Sequence, residues 1–577
     1  MNNLIKIAFL LVFLSAFQTN AQEKKKFFSL SGDMGVWYEG YGLDKTPGSP
    51  SPDFYKARRP WNLFRYTFNP IFTIGKWEIP FNFNFSPGLN NFTLPTGLKQ
   101  NFWQFLTNPV NSFGLRPKIG SSEFLLGTQY LKYSDLSTGD LGVFGYGINL
   151  SPGKFRIKLF NGVSQSPVEY MAPSIQVPNG VTGAYQRNQW MAQLGLENDG
   201  KYFAGFNFIK SVDKIGSVSA PPLFPIAPQE NMVVSFLANA TSAKGWKYHI
   251  ELGQSFFTRD LNTPFSISPV EDFRPFLNSH LSTGKDNAVM LGVTKKGSDW
   301  EIGTKFNYFG AGYYTAGFQF MNNDRMEYLL NTRFNAWKKK VNVVASIGER
   351  FGNLSRTAGP DRTKQLIANV NVFTQFNDHF SLNSSFNNFG FNSPGISGYK
   401  SVSNELSINP VYTWNTTSMA NMLSGTYTWS KYDETILNVT TNNNTHTALL
   451  LYVPTFFNSK LSPDFSIMYF KNSAPLINVS LFTATAGLGW KVSKKFKTKG
   501  QLQYTLSSMA PFTANKNLLV TSGFDWDILK KLTWQLTGTA NVYHFGSELP
   551  GGSLMPPYSG IPAYLESTLR TGLQYKF

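Results

Sequence analysis

The chain has 577 residues, a formal net charge of +18, 16% aromatic residues, only 15% charged residues and no cysteine. The lack of cysteine excludes disulfides, a lipid-modified cysteine and thiolate metal sites. The length exceeds that of one ordinary soluble domain, yet no linker and no change in composition divides the sequence.

Residues 1–21 are typical of a secretory signal peptide. Residues 7–17 are apolar but too few to span a bilayer as a helix, and Ala21 provides a small residue before a cleavage site. We expect the mature chain to begin at Gln22 and residues 22–577 to form one unit. A basic chain first suggests nucleic acid as a partner, but export of the protein excludes it.

The mature sequence alternates between apolar and polar residues almost from its start. The period of two predicts β-strands, and no later apolar run reaches the roughly 18 residues of a membrane-spanning helix. The first strand follows the signal peptide directly, so we expect no plug or periplasmic domain before it. Its apolar positions are Phe28, Leu30, Met34, Val36 and Tyr38.

Short polar turns alternate with long loops along the chain. We count roughly 24 strands at about ten residues each. The sequence therefore predicts an all-β fold, a large antiparallel transmembrane β-barrel with short periplasmic turns and long extracellular loops. The predicted turns lie near residues 151–153, 296–298, 338–340, 377–379, 493–495 and 529–531, and the predicted loops near 221–229, 264–286, 352–363, 392–400 and 546–562.

A barrel of this size has an interior too wide for wall side chains to fill. We expect it to hold water, folded-in loops or a partner protein. Residues 87–118 are rich in proline, asparagine and aromatic residues. We interpret this segment as either an external loop or a plug folded into the barrel.

The last strand, residues 565–577, ends on an apolar face that carries Leu569, Leu573, Tyr575 and Phe577. It resembles the carboxy-terminal signal that the barrel-assembly machinery reads in bacterial outer-membrane barrels. The resemblance implies that this machinery is a partner during biogenesis and that outer-membrane lipid surrounds the mature protein.

Lys154, Arg156 and Lys158 alternate with apolar residues on one predicted strand. Three basic side chains that face lipid would destabilise the barrel, since each Lys or Arg at the bilayer midplane costs roughly 2–4 kcal/mol of free energy. We predict a basic cluster in the lumen, which would attract anions. The alternative is a position at the interface, near lipid head groups or other loops.

Two pairs of ionisable residues are the remaining candidates for chemistry. His249 and Glu251 share one strand face, as do Asp525 and Asp527. Such pairs suit metal binding or acid–base catalysis, but we interpret both as polar residues of a wet lumen wall. We predict no catalytic residue, no metal, no cofactor and no enzymatic activity.

Four segments resemble a set of porin-like outer-membrane barrel proteins of Bacteroidota that have no assigned activity. The resemblance covers mainly residues 28–165 and supports the fold and location alone. The matching segments are residues 57–60, 79–83, 111–118 and 150–156, which read ARRP, IPFNF, NSFGLRPK and LSPGKFR.

We therefore expect a porin-like channel or transporter for small solutes in the outer membrane. The alternative is an accessory or structural barrel of a surface machine for secretion, gliding or outer-membrane assembly, with protein partners on its outer face. A continuous basic lumen would favour the channel. A plugged lumen together with an apolar patch beyond the lipid band would favour the accessory barrel.

Overall fold

The structure is a computed structural model of the chain. It describes residues 27–45, 59, 61–86, 112–139, 141–173, 180–198, 200–219, 221–265, 276–277, 279–318, 321–357, 362–393, 399–436, 439–457, 460–475, 478–510, 514–544 and 563–577.

The described residues form strands and a single short helical turn, Ile215–Ser217. None of their helices is long and apolar enough to cross a membrane. The strands are β1 Phe28–Lys45, β2 Asn62–Ile74, β3 Trp77–Phe85, β4 Ser112–Leu115, β5 Lys118–Ile119, β6 Ser122–Leu131, β7 Leu141–Leu150, β8 Phe155–Gln165, β9 Gln186–Asn198, β10 Tyr202–Lys214, β11 Glu230–Thr241, β12 Trp246–Thr258, β13 Thr283–Lys296, β14 Trp300–Phe309, β15 Arg325–Ala336, β16 Val341–Gly352, β17 Thr363–Gln375, β18 Phe380–Ser393, β19 Tyr399–Asn415, β20 Met419–Ile436, β21 Val439–Phe456, β22 Leu461–Ser473, β23 Asn478–Trp490, β24 Phe496–Ala510, β25 Asn515–Leu529, β26 Leu532–His544 and β27 Ala563–Lys576.

Apart from β4 and β5, which do not pair with each other, the strands pair antiparallel with their neighbours in sequence, and β1 pairs with β27 to close the sheet. The closing register runs from Asp33 opposite Lys576 to Lys45 opposite Tyr564. β4 and β5 both pair with β3 and β6, so together they fill one position in the wall. The described part of the chain is thus a closed barrel of 26 strands, which confirms the predicted fold class and lies close to the predicted count.

The connections alternate between a short-turn end and a long-loop end of the barrel, as the sequence predicts, although the connections after β20, β22 and β24 at the long-loop end are also short. Two predicted boundaries are wrong: the loop 264–286 overlaps the start of β13, and the segment 87–118, predicted as an external loop or a plug, contains strands. Ser112–Leu115 and Lys118–Ile119 belong to the wall, where Pro117 interrupts the strand because proline has no backbone N–H to donate to the ladder. The rest of that expected loop, residues 87–111, lies outside the described residues.

Strand alternation separates an apolar outer face from a polar inner face. On β27, Leu565, Leu569 and Leu573 are 39%, 44% and 43% exposed on the outside. Between them, Arg570 binds Glu39 of β1 on the inside. Large apolar side chains stay exposed in this way around the barrel, an arrangement that suits hydrocarbon as the surrounding solvent.

Candidate functional site in the barrel interior

Two connections from the long-loop end fold into the interior. We call residues 132–139, between β6 and β7, and residues 310–318, between β14 and β15, the inner plug. Its two segments bind each other through backbone and side chain. The Gly139 N–H donates to the Gly317 carbonyl at 2.9 Å, and the Thr315 hydroxyl donates to the Ser137 carbonyl at 2.6 Å.

The inner plug packs on an apolar part of the inner wall. Leu136 and Tyr313 are fully buried. The wall from β6 to β14 places apolar side chains at inward positions, which a water-lined lumen would leave polar. The buried wall residues of this cluster are Leu125, Leu131, Val143, Phe160, Met191, Ile209, Val233, Ala288, Met290 and Phe309.

A wall glycine makes room for the plug tyrosine. A Cβ atom placed on Gly253 of β12 would lie 2.6 Å from the Tyr313 hydroxyl oxygen and 3.2 Å from the Leu136 side chain. The plug therefore fits against this strand only because the wall residue has no side chain.

Wall side chains also satisfy the backbone of the plug. One carboxylate oxygen of Glu251 accepts the Leu136 N–H at 3.0 Å. Within the plug itself, the Tyr313 hydroxyl donates to the Leu136 carbonyl at 2.7 Å. The Asn231 amide donates to the Tyr314 carbonyl at 2.9 Å and accepts the Ala316 N–H at 2.9 Å. These bonds matter because a buried backbone group without a partner costs about 1–3 kcal/mol.

Burial raises the pKa of the Tyr133 hydroxyl in the plug. Burial raises the pKa of the Tyr313 hydroxyl as well, and the nearby Glu251 carboxylate adds to that rise. Both hydroxyls therefore keep their protons at neutral pH, and Tyr313 remains a hydrogen-bond donor to Leu136.

The predicted basic residues lie in three different environments. Arg156 faces inward and pairs with Glu197, with 2.5 Å between its Nε and a carboxylate oxygen. Lys158 also faces inward, with its Nζ 5.6 Å from the centre of the Tyr133 ring in the plug. Lys154 is exposed in the turn before β8. An anion-attracting role for this set stays a prediction.

The pairs His249–Glu251 and Asp525–Asp527 face inward as expected, but their surroundings differ. The interpretation of Glu251 as a wet wall residue is wrong, since it is fully buried beneath the plug. His249 Nδ1 lies 2.7 Å from the Asn239 side-chain oxygen. His249 therefore contacts the wall, whereas Glu251 contacts the plug. Asp527 accepts a hydrogen bond from Thr533 at 2.8 Å. Within the described part of the chain, no three acidic or histidine side chains form a group that could hold a metal.

The side of the interior away from the plug retains open space. A cavity of about 570 Å³ lies along the inner wall near the β1–β27 closure. Glu39 binds Arg570 at 2.7 Å and Arg59 at 3.0 Å beside it. Both signs of charge line the cavity, through Glu39, Arg65, Lys499, Asp525 and Arg570.

The predicted carboxy-terminal residues lie at the closure of the barrel. The Phe577 N–H donates to the Gly32 carbonyl at 3.0 Å. Its ring centre lies 5.7 Å from that of Tyr575 and 6.2 Å from that of Phe68. Leu569 and Leu573 point outward on the same strand. Recognition of this strand by an assembly machinery stays a prediction.

No family model and no curated protein matches the chain. Solved structures with a similar overall arrangement include the FrpB iron transporter of Neisseria meningitidis (F3-3 variant), with 10% identity over 79% of this chain and 87% of that chain and a TM-score of 0.36. The translocation pore of the P pilus usher PapC has 10% identity over 95% and 100%, with a TM-score of 0.39. The siderophore receptor PirA of Acinetobacter baumannii has 8% identity over 95% and 80%, with a TM-score of 0.36.

Proposed function

We propose that the protein is an outer-membrane channel or transporter for small solutes and that the inner plug narrows its conduit. The observation that carries this proposal is the uneven interior. One side is filled by plug segments held to the wall, and the other side keeps a polar cavity of about 570 Å³. A wide barrel with an open polar interior conducts unless something blocks it.

Single-channel recording in planar bilayers tests the proposal. We expect steady, small conductance from the purified protein and at least severalfold larger conductance from Gly253→Ala, because the new methyl group displaces Tyr313. Gly489→Ala is the matched control, since its Cβ would lie 3.6 Å from its nearest neighbour on a plug-free part of the wall. If both variants fold into barrels and neither conducts, the channel hypothesis is overturned.

The basic residues supply the selectivity part of the proposal. Lys158 lies against the plug and Arg156 is paired with Glu197, so we assign the anion preference mainly to Lys158. Changing Lys154, Arg156 and Lys158 to Gln should lower the chloride-to-potassium permeability ratio measured from reversal potentials. An equal permeability ratio in the unmodified protein and the variant would show that these residues do not determine anion selectivity.

The location rests on the outer face and on the amino-terminal sequence. We propose cleavage after Ala21, delivery to the outer membrane by the barrel-assembly machinery, and no enzymatic activity. The Bacteroidota resemblance agrees with this location. Fractionation of cells followed by amino-terminal sequencing should give Gln22 as the first residue in the outer-membrane fraction.

A specific surface favours the accessory-barrel alternative. At the long-loop end, Phe224, Phe265 and Leu281 are 90%, 74% and 67% exposed. Leu277 in the connection between β12 and β13 packs over Met232 and Phe256, which holds that connection against the wall. If a protein partner covers this patch, Phe224→Ser with Leu281→Ser should abolish its co-purification and leave the conductance unchanged.

A further inference from the structure

The short turns at one end of the barrel carry most of the excess positive charge. Their sequence holds thirteen lysines and only the aspartates Asp199, Asp299 and Asp378, in a chain of net charge +18. We call these lysines the lysine collar. They are Lys76, Lys154, Lys201, Lys244, Lys338, Lys339, Lys340, Lys460, Lys491, Lys494, Lys495, Lys530 and Lys531.

Every lysine of the collar is exposed. Among the residues that the structure describes, only Lys339 of the collar has a carboxylate within 4 Å, that of Asp299 at 3.9 Å. Basic residues towards the long-loop end are instead often paired with acids in ion pairs of 2.7–3.0 Å. These pairs include Lys210–Glu230, Lys364–Glu349, Lys431–Asp433 and Arg350–Glu327.

An aromatic girdle lies next to the lysine collar on the outer face and indicates how deep the collar lies in the membrane. Aromatic rings concentrate at the boundary between hydrocarbon and head groups in membrane barrels. The turn-side strand ends expose such rings, and Lys295 Nζ lies 5.1 Å from the centre of the Trp246 ring. The girdle consists of Trp77, Phe155, Tyr202, Trp246, Trp300, Tyr412, Trp490 and Trp526.

From this placement we infer that the lysine collar binds the phosphate head groups of anionic phospholipids in the leaflet beside the short turns. The girdle fixes the collar at head-group height, where ammonium groups meet phosphates. The inference goes beyond the proposed conduction, since lipid binding at this rim does not require an open lumen. Near an anionic surface each lysine contributes severalfold to binding, while exposed charges are screened by salt.

Native mass spectrometry of the protein from mixed phosphatidylglycerol and phosphatidylcholine bicelles tests the inference. The variant changes Lys494, Lys495, Lys530 and Lys531 to Gln. Their turns are adjacent, because the Asp527 N–H donates to the Lys495 carbonyl at 2.7 Å. The matched control removes the same charge from exposed lysines nearer the other end, Lys214, Lys400, Lys471 and Lys516.

We expect the unmodified protein to retain phosphatidylglycerol preferentially and to lose that preference in 1 M salt. The preference for phosphatidylglycerol should be at least fivefold lower in the collar variant. In the control variant it should stay within twofold of that of the unmodified protein. Heat-dependent gel mobility shows that each variant is folded. No preference in the unmodified protein, or equal loss in both variants, would overturn the inference. Loss of a co-purifying acidic protein with lipid preference unchanged would overturn it too.

Discussion

At the scale of single residues, Glu251 determines how the inner plug is held. Its carboxylate accepts the Leu136 N–H at 3.0 Å in a fully buried position. Replacing Glu251 with Ala leaves that N–H without an acceptor, at a cost of about 1–3 kcal/mol. We expect roughly tenfold or greater occupancy of an open, high-conductance state in single-channel records.

Two substitutions make the Glu251→Ala result specific. Glu251→Gln keeps a side-chain oxygen at the same position and should stay near the unmodified conductance. His249→Ala removes the neighbour that binds Asn239 instead of the plug, and should have little effect. If Glu251→Ala and Glu251→Gln open the pore equally, charge rather than the hydrogen bond to Leu136 holds the plug.

Tyr313 gives the plug a dependence on alkaline pH. Its hydroxyl donates to the Leu136 carbonyl at 2.7 Å, and burial raises its pKa above that of a free tyrosine. A released plug binds fewer protons than a seated one once the pH exceeds about 10, so the seated state loses stability as pH rises further. Below that pH this contribution is constant.

We therefore expect conductance to be flat up to about pH 10 and to increase reversibly above it. Tyr313→Phe should conduct more at neutral pH and show a weaker alkaline rise, because it lacks both the hydrogen bond and the titrating group. Tyr412→Phe, on the outer face, should behave like the unmodified protein. An alkaline rise of the same size in Tyr313→Phe would contradict this role.

At the scale of elements, the plug segment 132–139 should act as a movable unit against a fixed wall. Ser134 and Ser235 of β11 have hydroxyl oxygens 3.4 Å apart, so a cysteine at each position would place two sulfur atoms side by side. The chain has no cysteine, so Ser134→Cys with Ser235→Cys forms a single unambiguous pair. Added to Glu251→Ala, the oxidised pair should restore low conductance.

Reduction with dithiothreitol should release the segment and return the high conductance of Glu251→Ala. Ser235→Cys alone in the same background controls for the substitution and should not respond to reductant. Unchanged conductance with a fully formed disulfide would show that segment 132–139 does not gate the conduit.

The sequence predicts the wall well and the plug poorly, for a physical reason. β27 alternates visibly because one side meets an apolar surrounding and the other faces the interior, although Ser567 and Thr571 also lie on the apolar side. Segment 132–139 has no period, and its position depends on distant partners such as Glu251 and Tyr313. The one available indication was apolar residues such as Val143, Phe160 and Val233 at inward positions, where a wet lumen would be polar.

At the scale of the whole molecule, closure of the barrel depends on joining its first and last strands. β27 pairs along its length with β1 and β26, so one terminal residue adds little to the stability of a finished barrel. Phe577 adds a backbone bond to Gly32 and ring contacts with Tyr575 and Phe68. Its larger effect should therefore fall on assembly, when the closing pair first forms.

Deletion of Phe577 should reduce the amount of folded barrel in outer membranes severalfold, yet shift the unfolding temperature of the purified fraction by only a few degrees. Heat-dependent gel mobility of membrane fractions measures the first quantity, and thermal scanning in detergent measures the second. Phe577→Tyr keeps the aromatic end and should assemble normally. Phe68→Ala removes the ring contact from β2 but leaves the carboxy terminus intact, so it separates the two roles. If Phe68→Ala impairs assembly as much as the deletion, ring packing at the closure, rather than recognition of the terminal strand, limits biogenesis.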